Sequence, residues 1–348
     1  MAVKYKKQVL QYSTDGGSTW QNVEPQQYRK GDVLEYGSVE CENVMKYLTF
    51  KVTSAGTFTF RGNNSFANSV QYSLNSGSTW TTLAPNTATP SIAANSTIMW
   101  RASLTPQLIG TDMGIGTFSS TAKFEAEGNA YSLLYGDNFA DVRDLTGKNY
   151  ALAALFSGCT GITSAERLAI PAFKLSNGCY SYMFSECSNL TTPPILHANQ
   201  LADGCYDSMF SFCTNLTVAP TLSATTLSDN CYSFMFYGCT SLISAPQLPA
   251  TELAESCYYH MFASCTSMAT APTLSATTLQ PSCYNRMFYG ASALSSVTCL
   301  ATNISANQCT NNWLYGVSSS GTFYKASSMS NWGSGVSGIP TNWTIRNA

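Results

Sequence analysis

Six carboxylates punctuate residues 176–310: Glu186, Asp203, Asp207, Asp229, Glu252 and Glu255. Two carboxylates converging across one cleft suffice for glycoside hydrolysis, one as acid and the other as base or nucleophile. These six do not come as a pair. Asp203, Asp229 and Glu255 fall 26 residues apart, each just ahead of a segment with helical spacing. A carboxylate there caps free amides and complements the helix dipole, so capping is the expected role. His197 and His260 are the chain's two histidines. They occupy different frames with no nucleophile motif beside them, so each is expected to be exposed or incidental and Ser-His-Asp chemistry is not expected. No phosphate loop, dinucleotide fingerprint, zinc pattern or calcium loop occurs. The chain therefore reads as a non-enzyme with no cofactor, no metal and no catalytic residue.

Three further features are weighed the same way. Of the 13 cysteines, all but Cys41 lie between Cys159 and Cys309. Each has a counterpart in the next repeat, as a packing residue would, and pairs such as Cys231 and Cys239 stand eight residues apart. Buried free thiols are the expected state; disulfides are the alternative for an exported chain. Tyr180, Tyr206, Tyr232, Tyr258 and Tyr284 recur in one frame. Such a ladder either stacks sugar rings or packs structurally, and packing is expected. Residues 13–20 (STDGGSTW) and 73–80 (SLNSGSTW) match the Asp-box pattern of sialidase-like propellers. A propeller needs more copies and an arginine cluster, so each reads instead as a β-hairpin. Asp15 or Asn75 would bond turn amides, glycine would take positive φ, and Trp would pack below.

The elements that position these residues follow from a repeat of period 26. Met-Phe pairs recur at 183, 209, 235, 261 and 287, and cysteines in one frame at 179, 205, 231, 257, 283 and 309. Self-similarity of that length marks a solenoid whose coils are stable only when stacked. In each coil residues 242–248 and their equivalents are short, extended and Pro-bounded, and are expected to be the strand. Residues 253–265 place Cys257 and Met261 at i, i+4, so a helical turn or short helix is expected opposite. The first repeat is two residues longer near Ile170 and Pro171, and the last replaces Met-Phe by Trp313-Leu314 and Pro by Thr298. Atypical ends are what stacked repeats require.

The rest of the chain reads as strands. Residues 1–43 suggest a β arm for attachment, with a hairpin at Asp15-Gly16. Residues 44–140 alternate in short runs, at 47–52, 57–60, 70–74, 97–101 and 117–124, which suggests an antiparallel sandwich or jelly-roll-like domain. Residues 141–318 are the repeats, and 319–348, with Phe323, Trp332 and Trp343, a C-terminal cap. The fold class expected is mixed and β-rich: an N-terminal antiparallel β domain followed by a leucine-rich-repeat α/β solenoid of 26-residue coils.

Composition narrows the function classes. Charged residues make up 10% of the chain, and the net charge is −2. No basic cluster stands out, so nucleic acid is not an expected partner. Lys4, Lys6 and Lys7 are not followed by the apolar run of about 7–15 residues that a signal peptide needs, and no membrane-inserted segment is read. Synthesis and assembly in a cytoplasm are expected. Neutral, hydroxyl-rich strands suit a glycan or protein partner, and the exposed strand positions are Thr217, Val218, Thr221, Ile243, Ser244, Gln247, Ala269, Thr270 and Thr273. These nine form the candidate binding face.

The repeat unit CYxxMFxxCtxL, followed by Pro and LxATxL, resembles the BspA-like leucine-rich repeats of Bacteroidetes surface proteins and their phages. The matching positions are Cys231-Tyr232, Met235-Phe236, Cys239-Thr240, Leu242, Pro246 and Leu248. Residues 132–137 (SLLYGD) and 338–343 (GIPTNW) resemble that family's flanks, so the likeness covers about 130–348. Residues 5–41 resemble a leader segment on virion proteins of Bacteroides phages, including crAss-like phages. The two resemblances together imply a phage virion protein, a fibre or a capsid or tail decoration. Its N-terminal region would bind other virion proteins and its repeats a host-surface glycan or protein. Fibre proteins are often trimeric, so a homo-oligomer is among the expected partners. The alternative is a bacterial cell-surface adhesin of the same repeat family; a glycan-cleaving enzyme is the remote one.

Overall fold

The computed structural model describes residues 2–6, 9–13, 21–22, 43–62, 69–109, 112–330 and 332–348. The Asp15-Gly16 turn, Cys41 and most of the expected attachment arm lie outside the described residues. Within it, β1 (Ala2–Lys6), β2 (Val9–Ser13) and β3 (Gln21–Asn22) form an antiparallel sheet in that order.

The next region is built on alternation. It comprises β4 (Leu48–Ser54), β5 (Phe58–Arg61), β6 (Val70–Ser73), β7 (Thr81–Leu83), β8 (Thr97–Arg101), β9 (Gln107–Ile109), β10 (Asp112–Gly114), β11 (Thr117–Ser120), β12 (Lys123–Asn129) and β13 (Ile162–Ala169). Six of these make one sheet in the order β13-β12-β4-β8-β6-β7. The strand expected at 117–124 is divided, because its halves serve different sheets. β11 pairs with β5, whereas β12 pairs with β4. Rings fill the space between these two layers: Phe50 lies 4.4–5.5 Å from Phe58, Trp100, Phe118 and Phe124. Every pairing between the strands of 44–140 is antiparallel, as expected. The large sheet is mixed because β13, the first strand of the repeats, adds to β12 in parallel, and among the described residues no sheet closes. The sheet thus crosses residue 141, and one buried cluster runs from Leu48 to Trp343.

The repeats contain no helix where one was expected. Across residues 204–213 alternate amides have different partners. Cys205, Asp207, Met209, Ser211 and Cys213 donate three residues back, at 3.0–3.2 Å. Gly204, Tyr206, Ser208, Phe210 and Phe212 donate to carbonyls 25 residues further on, at 2.7–3.0 Å. The result is a ribbon of successive β-turns, each closed on itself and bonded to the next repeat. Every fourth residue has positive φ, as at Gly204, Ser208 and Phe212. The motif explains the choice. Cys257, Met261 and Cys265 are spaced by four, and in an α-helix each step of four drifts about 40° round the axis. A four-residue turn keeps all three in line, and all three are fully buried.

The expected strand of each repeat also shrinks, to single bridges such as Val218 with Ser244 and Thr270 with Ser296. Pro194, Pro220, Pro246 and Pro272 have no N–H to donate to a ladder. Where Thr298 replaces the proline a real strand forms: β14 (Ser296–Cys299) pairs in parallel with β15 (Gly321–Lys325), and β15 with β16 (Trp343–Asn347). Proline-free β13 is likewise long, and the two extra residues of the first repeat, Ile170 and Pro171, follow its end. Hydroxyls replace part of the missing ladder. Thr191 Oγ1 donates to Thr163 O (2.9 Å), and Ser267 Oγ to Thr240 O (2.6 Å).

Inside the ribbon, side chains form columns along the stack. Phe156, Phe184, Phe210, Phe236, Phe262 and Phe288 stack in turn at 5.4–5.8 Å between centroids. Tyr206, Tyr232, Tyr258 and Tyr284 do so at 5.7–6.0 Å, and Tyr180 meets Tyr206 in a tilted contact at 5.6 Å. Trp313 continues the tyrosine column, and Trp332 stacks on Trp313 at 5.5 Å. Trp313 Nε1 donates to Gly338 O at 2.8 Å, so residues 319–348 cover the last repeat.

Candidate binding surface

The thiols are structural. All twelve described cysteines are free and buried. Cys187, Cys213, Cys239 and Cys265 each donate Sγ–H to a phenylalanine carbonyl of the preceding repeat, at 3.0–3.1 Å. Burial pushes the Cys239 thiol up to about 12, which keeps it protonated and able to donate. The tyrosine column is equally enclosed, at 0–2% exposure; its rings touch one another and are closed to a sugar.

Asp203, Asp229 and Glu255 cap no helix. Their carbonyls accept the inter-repeat bonds of Gly178, Gly204 and Asn230, and Asp229 Oδ1 accepts the Glu255 N–H at 3.0 Å. The second Asp-box-like segment is a hairpin turn, as expected. Asn75 Oδ1 accepts from Thr79 N–H (2.9 Å), Gly77 has φ +85°, and β6 pairs antiparallel with β7. Trp80 packs at the hairpin base, 5.0 Å from Tyr47, with Arg101 over its face. The equivalent turn at 14–20 lies outside the described residues. His197 and His260 are not exposed. His197 packs against Phe173 and burial lowers its pKa. His260 is half-buried among rings and held down to about 4, by burial first and Arg286 second. Among the described residues no three His, Cys, Asp or Glu side chains converge to hold a metal.

All nine residues of the expected binding face are exposed. They align in three columns with a 26-residue step: Thr217, Ile243 and Ala269; Val218, Ser244 and Thr270; Thr221, Gln247 and Thr273. Ile243 N–H donates to Thr217 O, which sets the step between neighbours. Val218 and Ile243 are 59% and 65% exposed and give the otherwise hydroxylic face an apolar centre. Ile195, one repeat before Thr221, extends it and is also exposed.

A second surface, not anticipated from the sequence, lies on the outward side of the turn ribbon. It is built from the four x positions of CYxxMFxxC. Phe212 meets Tyr237 at 5.0 Å, Tyr237 meets Phe234 at 5.7 Å, and Phe234 meets Tyr259 at 5.2 Å. His260 stacks on Phe234 at 4.6 Å and touches Tyr259 at 4.4 Å. Further along, Arg286 sits over Tyr289, which stacks on Tyr315 at 4.8 Å. At the other end burial raises Asp207 to about 6, against hydrogen bonds from Tyr182, Ser233 and Ser208. Gly238 gives the belt room: a Cβ there would come within 2.7 Å of the Phe212 ring. The signal was present in the sequence, since a solvated x position calls for no ring.

No family model, no curated protein and no solved structure matches this chain.

Proposed function

We propose that the repeats form a leucine-rich-repeat solenoid of the BspA-like kind. In this reading the chain is a non-enzymatic phage virion protein, a fibre or a capsid or tail decoration. Its repeats adhere to a host-surface glycan or protein, and its N-terminal strands join it to other virion proteins. The solenoid reading is supported by backbone bonds that advance 25 residues per step and by the ring columns that run with them. One observation favours adhesion over catalysis. The thiols and ladder tyrosines are enclosed as columns, while the outward positions carry rings, hydroxyls and little charge. Such surfaces bind; they do not assemble a nucleophile, a base and an oxyanion site.

Immunoelectron microscopy of purified phage particles with antibody against residues 150–318 tests the reading. Label on the virion surface is expected. Label on bacterial cells and none on particles would replace the reading with a bacterial adhesin.

A further inference from the structure

We infer that the outward ring belt of the turn ribbon, centred on Phe212, Phe234, Tyr237 and Tyr259 and continued by Tyr289 and Tyr315, is a binding platform for an uncharged glycan. The inference rests on the adhesive reading above and names the ligand class and the face that takes it.

Composition of the outward positions carries the first step. From 181 to 316 the x positions hold rings, Ser, Asn, Gly, Asp207, Glu186, His260, Arg286 and Ala263, with no Leu, Ile, Val or Met; Ser181, Ser185, Ser208, Ser211, Ser233, Ala263 and Asn285 are buried beneath the rings. A pyranose ring needs this mixture, because its C–H face packs on an aromatic ring and its rim hydroxyls need donors and acceptors. The exposed sheet face, by contrast, centres on aliphatic Val218 and Ile243.

Backbone conformation carries the second. Phe212, Phe234 and His260 hold φ of +58°, +52° and +55°. Equivalent places elsewhere in the ribbon also hold positive φ, in Gly238, Gly290 and Asn312 but also in Tyr182, Glu186, Ser208, Ser264 and Arg286. A bulky side chain with positive φ is an outlier that costs stability and collects at functional sites. Three neighbouring repeats accept that cost and place a ring there each time.

Unsatisfied polar atoms carry the third. Asn285 is 5% exposed, and its Oδ1 has no hydrogen-bond partner; the same holds for His260 Nδ1 and Arg286 Nε. All three belong to the adjoining repeats that bear Tyr259 and Tyr289. Buried groups left unpaired favour a ligand that brings hydroxyls.

The test is affinity electrophoresis of the full chain through gels containing β-1,3-glucan, xylan, mannan or dextran. Retardation by at least one polysaccharide is expected. The double variant Phe212→Gly with Phe234→Gly, which removes two rings at positions of positive φ that glycine adopts without strain, should bind about tenfold more weakly. Its cooperative unfolding transition should be retained. Tyr289→Ser with Tyr315→Ser, at exposed positions, should also weaken binding, and by more than Val218→Ser with Ile243→Ser on the sheet face does. Retardation by none of the four polysaccharides, or ring variants that bind as tightly as the parent, would overturn the inference. Loss confined to the Val218 and Ile243 variant would move adhesion to the sheet face and leave the adhesive reading standing. Label absent from virions with polysaccharide binding intact would do the reverse.

Discussion

The inward and outward sides of one turn ribbon obey different rules. Inward positions are nearly invariant from repeat to repeat: Cys, Tyr, Met, Phe, Cys. Each side chain there rests on its own copy in the next repeat, so a change at one site is felt on both sides of the stack. Outward positions vary freely, from Asp207 and Ser208 through Ser233 and Phe234 to Asn285 and Arg286. They accept positive φ in residues poorly suited to it. The inward side therefore holds the repeats together, and the outward side has latitude for recognition.

The largest expected effect lies inside. Phe210→Ala removes a ring stacked between Phe184 and Phe236 and should cost about 3–5 kcal/mol of unfolding free energy in a denaturant titration. A loss below about 1 kcal/mol, the range of ordinary surface changes, would erase the distinction between the two sides.

The next effect lies outside and has the opposite sign. Asp207 titrates at about 6 in the folded chain against an ordinary 3.8, since burial disfavours its charge. The folded state therefore holds this proton more tightly than the unfolded state, and stability falls as pH rises across that window. Asp207→Asn removes the loss and should add on the order of 2 kcal/mol at pH 7. His260 works the other way. Its folded value of about 4 lies below the ordinary 6.5, so its contribution rises with pH through that interval. In the parent these slopes oppose each other; in Asp207→Asn the rise from His260, joined by that of His197, whose pKa is also lowered, should be unopposed in a pH series of thermal melts. An unchanged pH profile would mean Asp207 is solvated.

Cys239→Ala comes third. It deletes the Sγ–H bond to Phe210 O and leaves a small void, for about 1–2 kcal/mol. Ala291, at the equivalent place, shows that one repeat can do without the thiol. The smallest effect is Ser256→Gly. Ser256 has φ +53°, and its equivalents include Gly204 and Asn230, so relief of strain should raise stability by about 0.5–1 kcal/mol. A loss there would mean the serine side chain matters more than its backbone.

Several parts of this were legible in the sequence. Period 26 located the columns, and the nine strand-side residues fall between buried Leu216, Pro220 and Leu222 and their equivalents, with Met268 replacing Leu216 in one repeat. The strands at 47–52, 57–60, 70–74 and 97–101 were legible from alternation. The turn ribbon was read as helix because Cys257 and Met261 at i, i+4 satisfy both geometries. Cys265 was the discriminating residue, since a third apolar position at exact steps of four belongs to a turn and not to a helix. The Pro246 frame was read as a strand boundary, when its missing N–H removes the ladder itself. The division of 117–124 depends on which sheet accepts each half, and no local pattern encodes that. The ring belt carries no periodic signal, because its members vary between repeats.

Far-UV circular dichroism of the purified chain tests the central claim most directly. The outward belt exists as one face only if the ribbon turns every four residues. A spectrum of β and turn type, without the paired minima of α-helix, is the predicted result. Helical minima strong enough for a short helix in every repeat would contradict the turn ribbon, and with it the inward and outward columns on which the account depends.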